Sequence, residues 1–142
     1  MAIREIIFRG KRVDNGEWIY GDLLCSKGNY YIHERGKPIV SYISPMAAFG
    51  TVGEWTGLTD KNGKKIFEGD VLRLRDSWSA WAAIVEFGNP NGLYSWGWQL
   101  KPIRRVSVNT DILCWVEMED TGAYCEVIGN IHDNPELLEG AK

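Results

Sequence analysis

At 142 residues and 16.1 kDa, with 44% hydrophobic and 25% charged residues, the chain is sized for one domain with a core of its own. No apolar run approaches the roughly 18 residues of a membrane-spanning helix, and three cysteines at distant spacings, Cys25, Cys114 and Cys125, exclude a disulfide framework. The formal charge of −3 divides unevenly: residues 1–110 carry 15 Lys and Arg against 11 Asp and Glu, whereas residues 111–142 carry one against eight.

Residues 3–8 are apolar and β-branched, which predicts a strand running into the basic cluster Arg9, Lys11 and Arg12. Asn15-Gly16 supplies a hairpin turn, because both residues tolerate the positive φ of tight reversals, and residues 18–24 read as the returning strand with a bulge at Gly21. Residues 30–32 and 39–43 are expected to pair about the 34–38 turn. Ser44-Pro45 then breaks the pattern, and residues 46–49 form a turn or a short helical piece.

The central stretch carries two reversals ten residues apart. Asn62-Gly63 has tight-turn chemistry, Ile66-Phe67 follow, and Gly69-Asp70 reverse the chain again before the apolar run 71–75. A strand over 81–87 is expected to pair with 71–75. It is closed by Asn91-Gly92 and followed by a strand over 93–100 with Tyr94, Trp96 and Trp98 on alternate positions. Between them, residues 76–80 form a loop tip bearing Trp78.

Residues 112–116 suit either a strand or a short helix capped by Asn109 or Asp111. Residues 124–131 read as extended, and Asn134-Pro135-Glu136 has the order that starts a helix of a turn or two. The pattern as a whole is mainly β. It gives N-terminal β-hairpins over 1–50, a barrel core over 51–100, and a variable segment with a final strand and short C-terminal helix over 101–142.

Three blocks resemble a known family. They are residues 4–23, where Arg-Glu-Ile-Ile-Phe-Arg-Gly-Lys-Arg leads to Asp-Asn-Gly-Glu-Trp-Ile-Tyr-Gly-Asp-Leu; residues 51–75, from Thr-Val-Gly-Glu-Trp-Thr-Gly-Leu through both reversals; and residues 127–138, Val-Ile-Gly-Asn-Ile-His-Asp-Asn-Pro-Glu-Leu-Leu. Together they resemble, in order, the YopX family of phage and prophage proteins. The resemblance implies a mostly β fold containing a partly open SH3-like barrel, a tendency to self-associate, a phage origin and no assigned reaction.

Catalytic and metal chemistry find little support in the residues. The sequence has no Cys-x-x-Cys and only His33 and His132, so a metal site would need remote ligands, and no cofactor is expected. Cys125 and His132 are the thiol and imidazole nearest each other in sequence, yet seven strand residues span roughly 20 Å. Glu68 and Asp70 are close carboxylates, but inside a turn such groups ordinarily bind the local backbone. No phosphate-binding or nucleophile-elbow motif appears. A non-enzymatic role is therefore expected.

Seven Trp and six Tyr are the compositional peculiarity. Trp78, Trp81, Trp96 and Trp98 fall in one predicted hairpin, with Arg73, Arg75, Lys101, Arg104 and Arg105 at its margins. This is a candidate binding face, since exposed aromatics beside cations stack the bases of single-stranded nucleic acid. The pI of about 5.4 weighs against nucleic acid, and alternating tryptophans also suit a core or an oligomer interface. The expectation is a self-associating cytoplasmic binding module with no membrane partner. Single-stranded nucleic-acid binding is the alternative.

Overall fold

The computed structural model describes residues 4–38, 43–75, 80–92, 96–104, 110–116 and 124–139. The chain is mainly β and forms two compact units, Met1–Gly57 and Leu58–Lys142. The central stretch 51–100 is thus shared between them, and strand β5 crosses the boundary.

In the first unit, β1 (Phe8–Lys11), β2 (Trp18–Ser26), β3 (Asn29–His33), β4 (Met46–Ala47) and the start of β5 (Gly53–Thr59) are hydrogen-bonded in the order β4-β3-β2-β1-β5. β2 changes partner along its length. Residues Trp18 to Gly21 face β1, and Asp22 to Ser26 face β3. The crossing point is Gly21, where a Cβ would lie 2.0 Å from the His33 carbonyl oxygen. The strands then close on themselves: Arg12 bridges Ala47, the Val13 amide donates to Met46 O at 2.9 Å, and the Ala48 amide donates to Lys11 O at 2.7 Å.

This ring encloses Ile19, Ile32 and Ala47, with Phe8, Leu23 and Val52 packed against them. Alternation puts Arg9 and Lys11 on the other face of β1, opposite Tyr20 and Trp18. There the Arg9 guanidinium lies 4.6 Å from the Trp18 ring centroid and Lys11 Nζ lies 5.6 Å from it, a cation–π stack that keeps the basic cluster folded onto an aromatic surface.

The second unit contains β6 (Lys65–Phe67), which neighbours β5, and a sheet of order β10-β7-β8-β9. Its strands are β7 (Asp70–Arg75), β8 (Ala80–Gly88), β9 (Gly97–Pro102) and β10 (Tyr124–Asn130). Among the described residues two short helices complete it, α1 (Ile112–Val116) and α2 (Glu136–Glu139). Cross-strand register aligns Leu72 with Ala83, Leu74 with Trp81 and Cys125, and Val85 with Leu100, so these residues share one face. With Ile66, Ile112 and Trp115 they form the main core. Each fully buried aliphatic side chain contributes about 1.5–3 kcal/mol of burial free energy, which makes this core the larger source of stability.

Buried polar groups stitch the turns to the sheet. Asp60 accepts the amides of Asn62 and Lys64 on Oδ1, each at 2.9 Å, and the amide of Val127 on Oδ2 at 2.9 Å. Asp70 Oδ2 accepts the Phe67 amide at 2.8 Å and closes the Glu68-Gly69 reversal. Asn130 Oδ1 accepts the amides of His132 and Asp133 and shapes the chain ahead of α2. Gly16, Gly63, Gly69 and Gly92 hold φ of 72°, 80°, 89° and 67°, the left-handed region their turns need. Asn15 Oδ1 accepts the Glu17 amide at 2.9 Å, and Asn91 Nδ2 donates to Leu100 O at 2.9 Å.

Several sequence expectations change. Residues 4–7 precede the first strand, which runs Phe8–Lys11 and takes in Arg9 and Lys11, while Arg12 forms an isolated bridge beyond it; residue 3 lies outside the described residues. Gly21 marks a close backbone approach, and no register shift occurs there. β3 pairs with β2 and β4; residues 39–42 of its expected partner lie outside the described residues, and Ile43 is not in a strand. Residues 46–47 form that short strand β4 because their backbone completes the ring. Residues 112–116 are helical, with Asp111 Oδ1 accepting the Leu113 amide at 3.1 Å as the cap.

Candidate interaction surface

The β8–β9 hairpin carries a graded run of aromatic rings from the core to solvent. Trp81, Ala83 and Val85 point inward along β8, and Phe87 has the same parity. Register between β7 and β8, however, runs only over Ala80 to Ile84, so Phe87 extends past the strand that covers the others. It is 57% exposed. Phe87 pairs across the ladder with Trp98, their centroids 5.0 Å apart at 68°, and meets Trp96 edge-on at 6.5 Å and 81°. Trp98 is half-buried against the main core, whereas Trp96 is 74% exposed.

Gly88 and Gly97 face each other at the open end of the ladder, with φ of 117° and 126°. These backbone conformations, unfavourable for other residues, place the Trp96 ring over Gly88, where a Cβ would sit 3.9 Å from Trp96 Cη2. Edge-to-face packing adds about 0.5–1.5 kcal/mol per pair beyond burial, so the three rings hold one another in place. The result is a preorganised apolar projection. Rings of this size supply the centre of an interface, the position where binding energy concentrates.

The cations of the hairpin lie elsewhere. On β7, Leu72 and Leu74 enter the core, so Arg73 and Arg75 emerge on the opposite face, across from Ala82 and Ala80. Lys101 is exposed and reaches Glu86 at 3.9 Å, and Arg104 is exposed. Trp81, placed on the binding face by the sequence pattern, is 9% exposed and packs edge-on against Trp115 at 5.4 Å. Trp78 and Arg105 lie outside the described residues. Strand alternation therefore puts Trp81 and the β7 arginines on opposite faces of the sheet, which separates that ring from their charge.

Cys125 is buried, and desolvation, followed by the nearby Asp60 charge, pushes its thiol up to about 11, leaving it protonated at neutral pH rather than nucleophilic. Cys25 is free and exposed. His33 contacts Ser44 Oγ through Nδ1 at 2.9 Å and the Lys37 carbonyl through Nε2 at 3.0 Å, joining β3 to the segments that follow it. Among the described residues no group of three His, Cys, Asp or Glu is placed to hold a metal ion, and no helix is long and apolar enough to cross a membrane.

Two open grooves flank residues 4–8 in the first unit. One, of about 360 Å³, is lined by residues that include Ile7, Trp18, Tyr20 and Arg35; the other, of about 650 Å³, is lined by residues that include Phe8, Leu23 and Arg35. Arg35 stands between them and binds Glu5 Oε1 at 3.0 Å, Asp22 Oδ1 at 3.3 Å and the Ile6 carbonyl. Its charge is thereby compensated.

Compared with family models, residues 7–139 match YopX, described as the YopX protein, which spans nearly the whole chain. The chain belongs to the YopX family. No curated protein matches it. Among solved structures it is similar to the crystal structure of protein EF1440 from Enterococcus faecalis, at 22% identity and a TM-score of 0.54, with 96% of this chain and 99% of that chain covered. At that identity the likeness establishes the fold and nothing more.

The YopX match takes in both the buried polar joints at Asp60, Asp70 and Asn130 and the aromatic hairpin. Sequence reasoning missed Phe87, the residue that ties Trp96 to Trp98. Its signal was available: an apolar residue directly before Gly88, in step with Trp81 and Val85 but beyond the length of its partner strand.

Proposed function

We propose that this YopX-family chain is a non-enzymatic, self-associating binding module of phage origin that acts in the cytoplasm of the bacterial host. The observation that carries the reading is the exposure of Trp96 (74%) and Phe87 (57%) in an ordered aromatic cluster at the end of the β8–β9 hairpin. Large rings fixed in this way offer apolar area at little further cost in side-chain entropy. The uneven charge, positive over residues 1–110 and strongly negative over residues 111–142, supports association of a copy with a second copy.

Single-stranded nucleic acid is the less favoured partner. The burial of Trp81 on the face opposite Arg73 and Arg75 separates that ring from those cations. Sedimentation velocity over a concentration series tests the proposal. A sedimentation coefficient that rises with concentration supports it, and a single species of one chain's mass throughout rejects it.

A further inference from the structure

Strand β7 exposes two arginines two residues apart, which places their Cα atoms about 6.8 Å from each other on one face. Their neighbours on β8 are Ala82 and Ala80, side chains too short to screen a guanidinium. On the β10 side, Arg75 is opposite Tyr124 and Arg73 is opposite Glu126, whose carboxylate instead lies 3.8 Å from Lys61 Nζ. Neither Arg73 nor Arg75 makes an ion pair or a side-chain hydrogen bond among the described residues. The pair is an open cationic ladder.

The chain also carries a matching anionic element. Glu136 and Glu139 are both exposed, and on α2 they are one turn apart, a spacing of about 5–6 Å between Cβ atoms. Neither carboxylate meets a cation among the described residues; Glu136 Oε1 accepts only the Asn134 side-chain amide, at 3.3 Å. They belong to the segment 111–142, in which acids outnumber bases eight to one. Two arginines and two glutamates at similar spacing, each pair unclaimed within its own copy, are complementary between copies.

We infer that Arg73 and Arg75 dock the Glu136/Glu139 face of α2 from a second copy of this chain. The inference rests on the self-association proposed above and specifies which surfaces meet. Exposed ion pairs steer and orient partners more than they bind them, so the charged ladder sets the orientation of the contact. Nucleic acid fits the ladder less well, because Trp81 is buried on the other face of the sheet and is not offered to a base.

Charge reversal with complementation tests this docking. Wild type, the Arg73→Glu/Arg75→Glu variant, the Glu136→Lys/Glu139→Lys variant and an equimolar mixture of the two variants are compared by sedimentation velocity at low salt. Circular dichroism melts establish that each is folded. Each variant alone is expected to self-associate about tenfold more weakly than wild type, and the mixture is expected to regain association. Should either reversal disturb folding, Arg73→Ala/Arg75→Ala serves instead, and is expected to remove the salt dependence of association. Association unchanged in the arginine variant, or no recovery in the mixture, overturns the docking while leaving self-association standing. A wild type that is monomeric at every concentration removes both. Binding of a single-stranded oligonucleotide that is lost in the arginine variant reassigns the ladder to nucleic acid and equally overturns the inference.

Discussion

The carboxylate of Asp60 accepts the backbone amide of Val127 at 2.9 Å, joining the first turn of the second unit to its last strand across 67 residues. The Lys61 amide donates to Cys125 O at 3.1 Å beside it, so turn and strand are bonded twice. Asp60 is 7% exposed and serves three amides, each of which loses its acceptor when the carboxylate is removed. Asp60→Ala is expected to destabilise the protein by about 3 kcal/mol or more, given roughly 1–3 kcal/mol for each buried donor left unpaired. Asp60→Asn retains one acceptor oxygen and should cost less. Chemical denaturation of both variants is the check, and equal small losses would show that the joint carries little of the stability.

Gly21 gives a second, sharper contrast. A Cβ at Gly21 would lie 2.0 Å from the His33 carbonyl oxygen, at the end of the β2–β3 ladder, and 3.1 Å from Glu34 Cα, both of them backbone atoms. At Gly63 the φ is 80° but nothing lies within 4 Å of the same position. Gly21→Ala should therefore prevent folding of the first unit or cost several kcal/mol, as expected of overpacking against backbone, whereas Gly63→Ala should cost about 1 kcal/mol from backbone strain alone. Thermal melts that ranked the two in the opposite order would contradict the placement of β2.

Cys125 makes stability depend on alkaline pH. The fold favours its neutral thiol, so this contribution is complete below the ordinary thiol value of 9.0 and is lost as pH rises from 9.0 toward about 11. Unfolding free energy should fall across that window more steeply in wild type than in Cys125→Ala. Asp60→Asn removes a charge that raises the thiol, so the decline should still begin near 9.0 but be smaller and end at a lower pH. At neutral pH, site-resolved alkylation should modify Cys25 readily and Cys125 only after denaturation, because one is exposed and the other buried. Labelling of Cys125 in the folded protein would refute its burial.

The turns and strands of the second unit were largely legible because their determinants are local. Asn62-Gly63, Gly69-Asp70 and Asn91-Gly92 announce reversals by their own chemistry, and the apolar runs between them have nowhere to go but a sheet. The short strand Met46–Ala47 was not legible, since its partners, Tyr30 and Tyr31 on β3 and Lys11, Arg12 and Val13 near the start of the chain, are all remote in sequence. The same limit applies to the candidate surface. Alternation along Leu72, Arg73, Leu74 and Arg75 was visible, but which side would be covered depends on α1, whose Ile112 and Trp115 bury the face bearing Trp81. Phe87 escaped notice because its exposure follows from where register with β7 ends, a property of two strands and not of one.

The most direct test of self-association is the light-scattering mass of wild type and of Phe87→Ser/Trp96→Ser, eluted from the same size-exclusion column at the same concentration. Both residues are exposed, so the double variant should remain folded, with its melting temperature close to that of wild type. Wild type is expected to elute at a multiple of 16.1 kDa and the variant at 16.1 kDa. A wild type that already elutes at 16.1 kDa, or a variant whose mass equals that of an assembled wild type, would contradict the role assigned to the aromatic cluster.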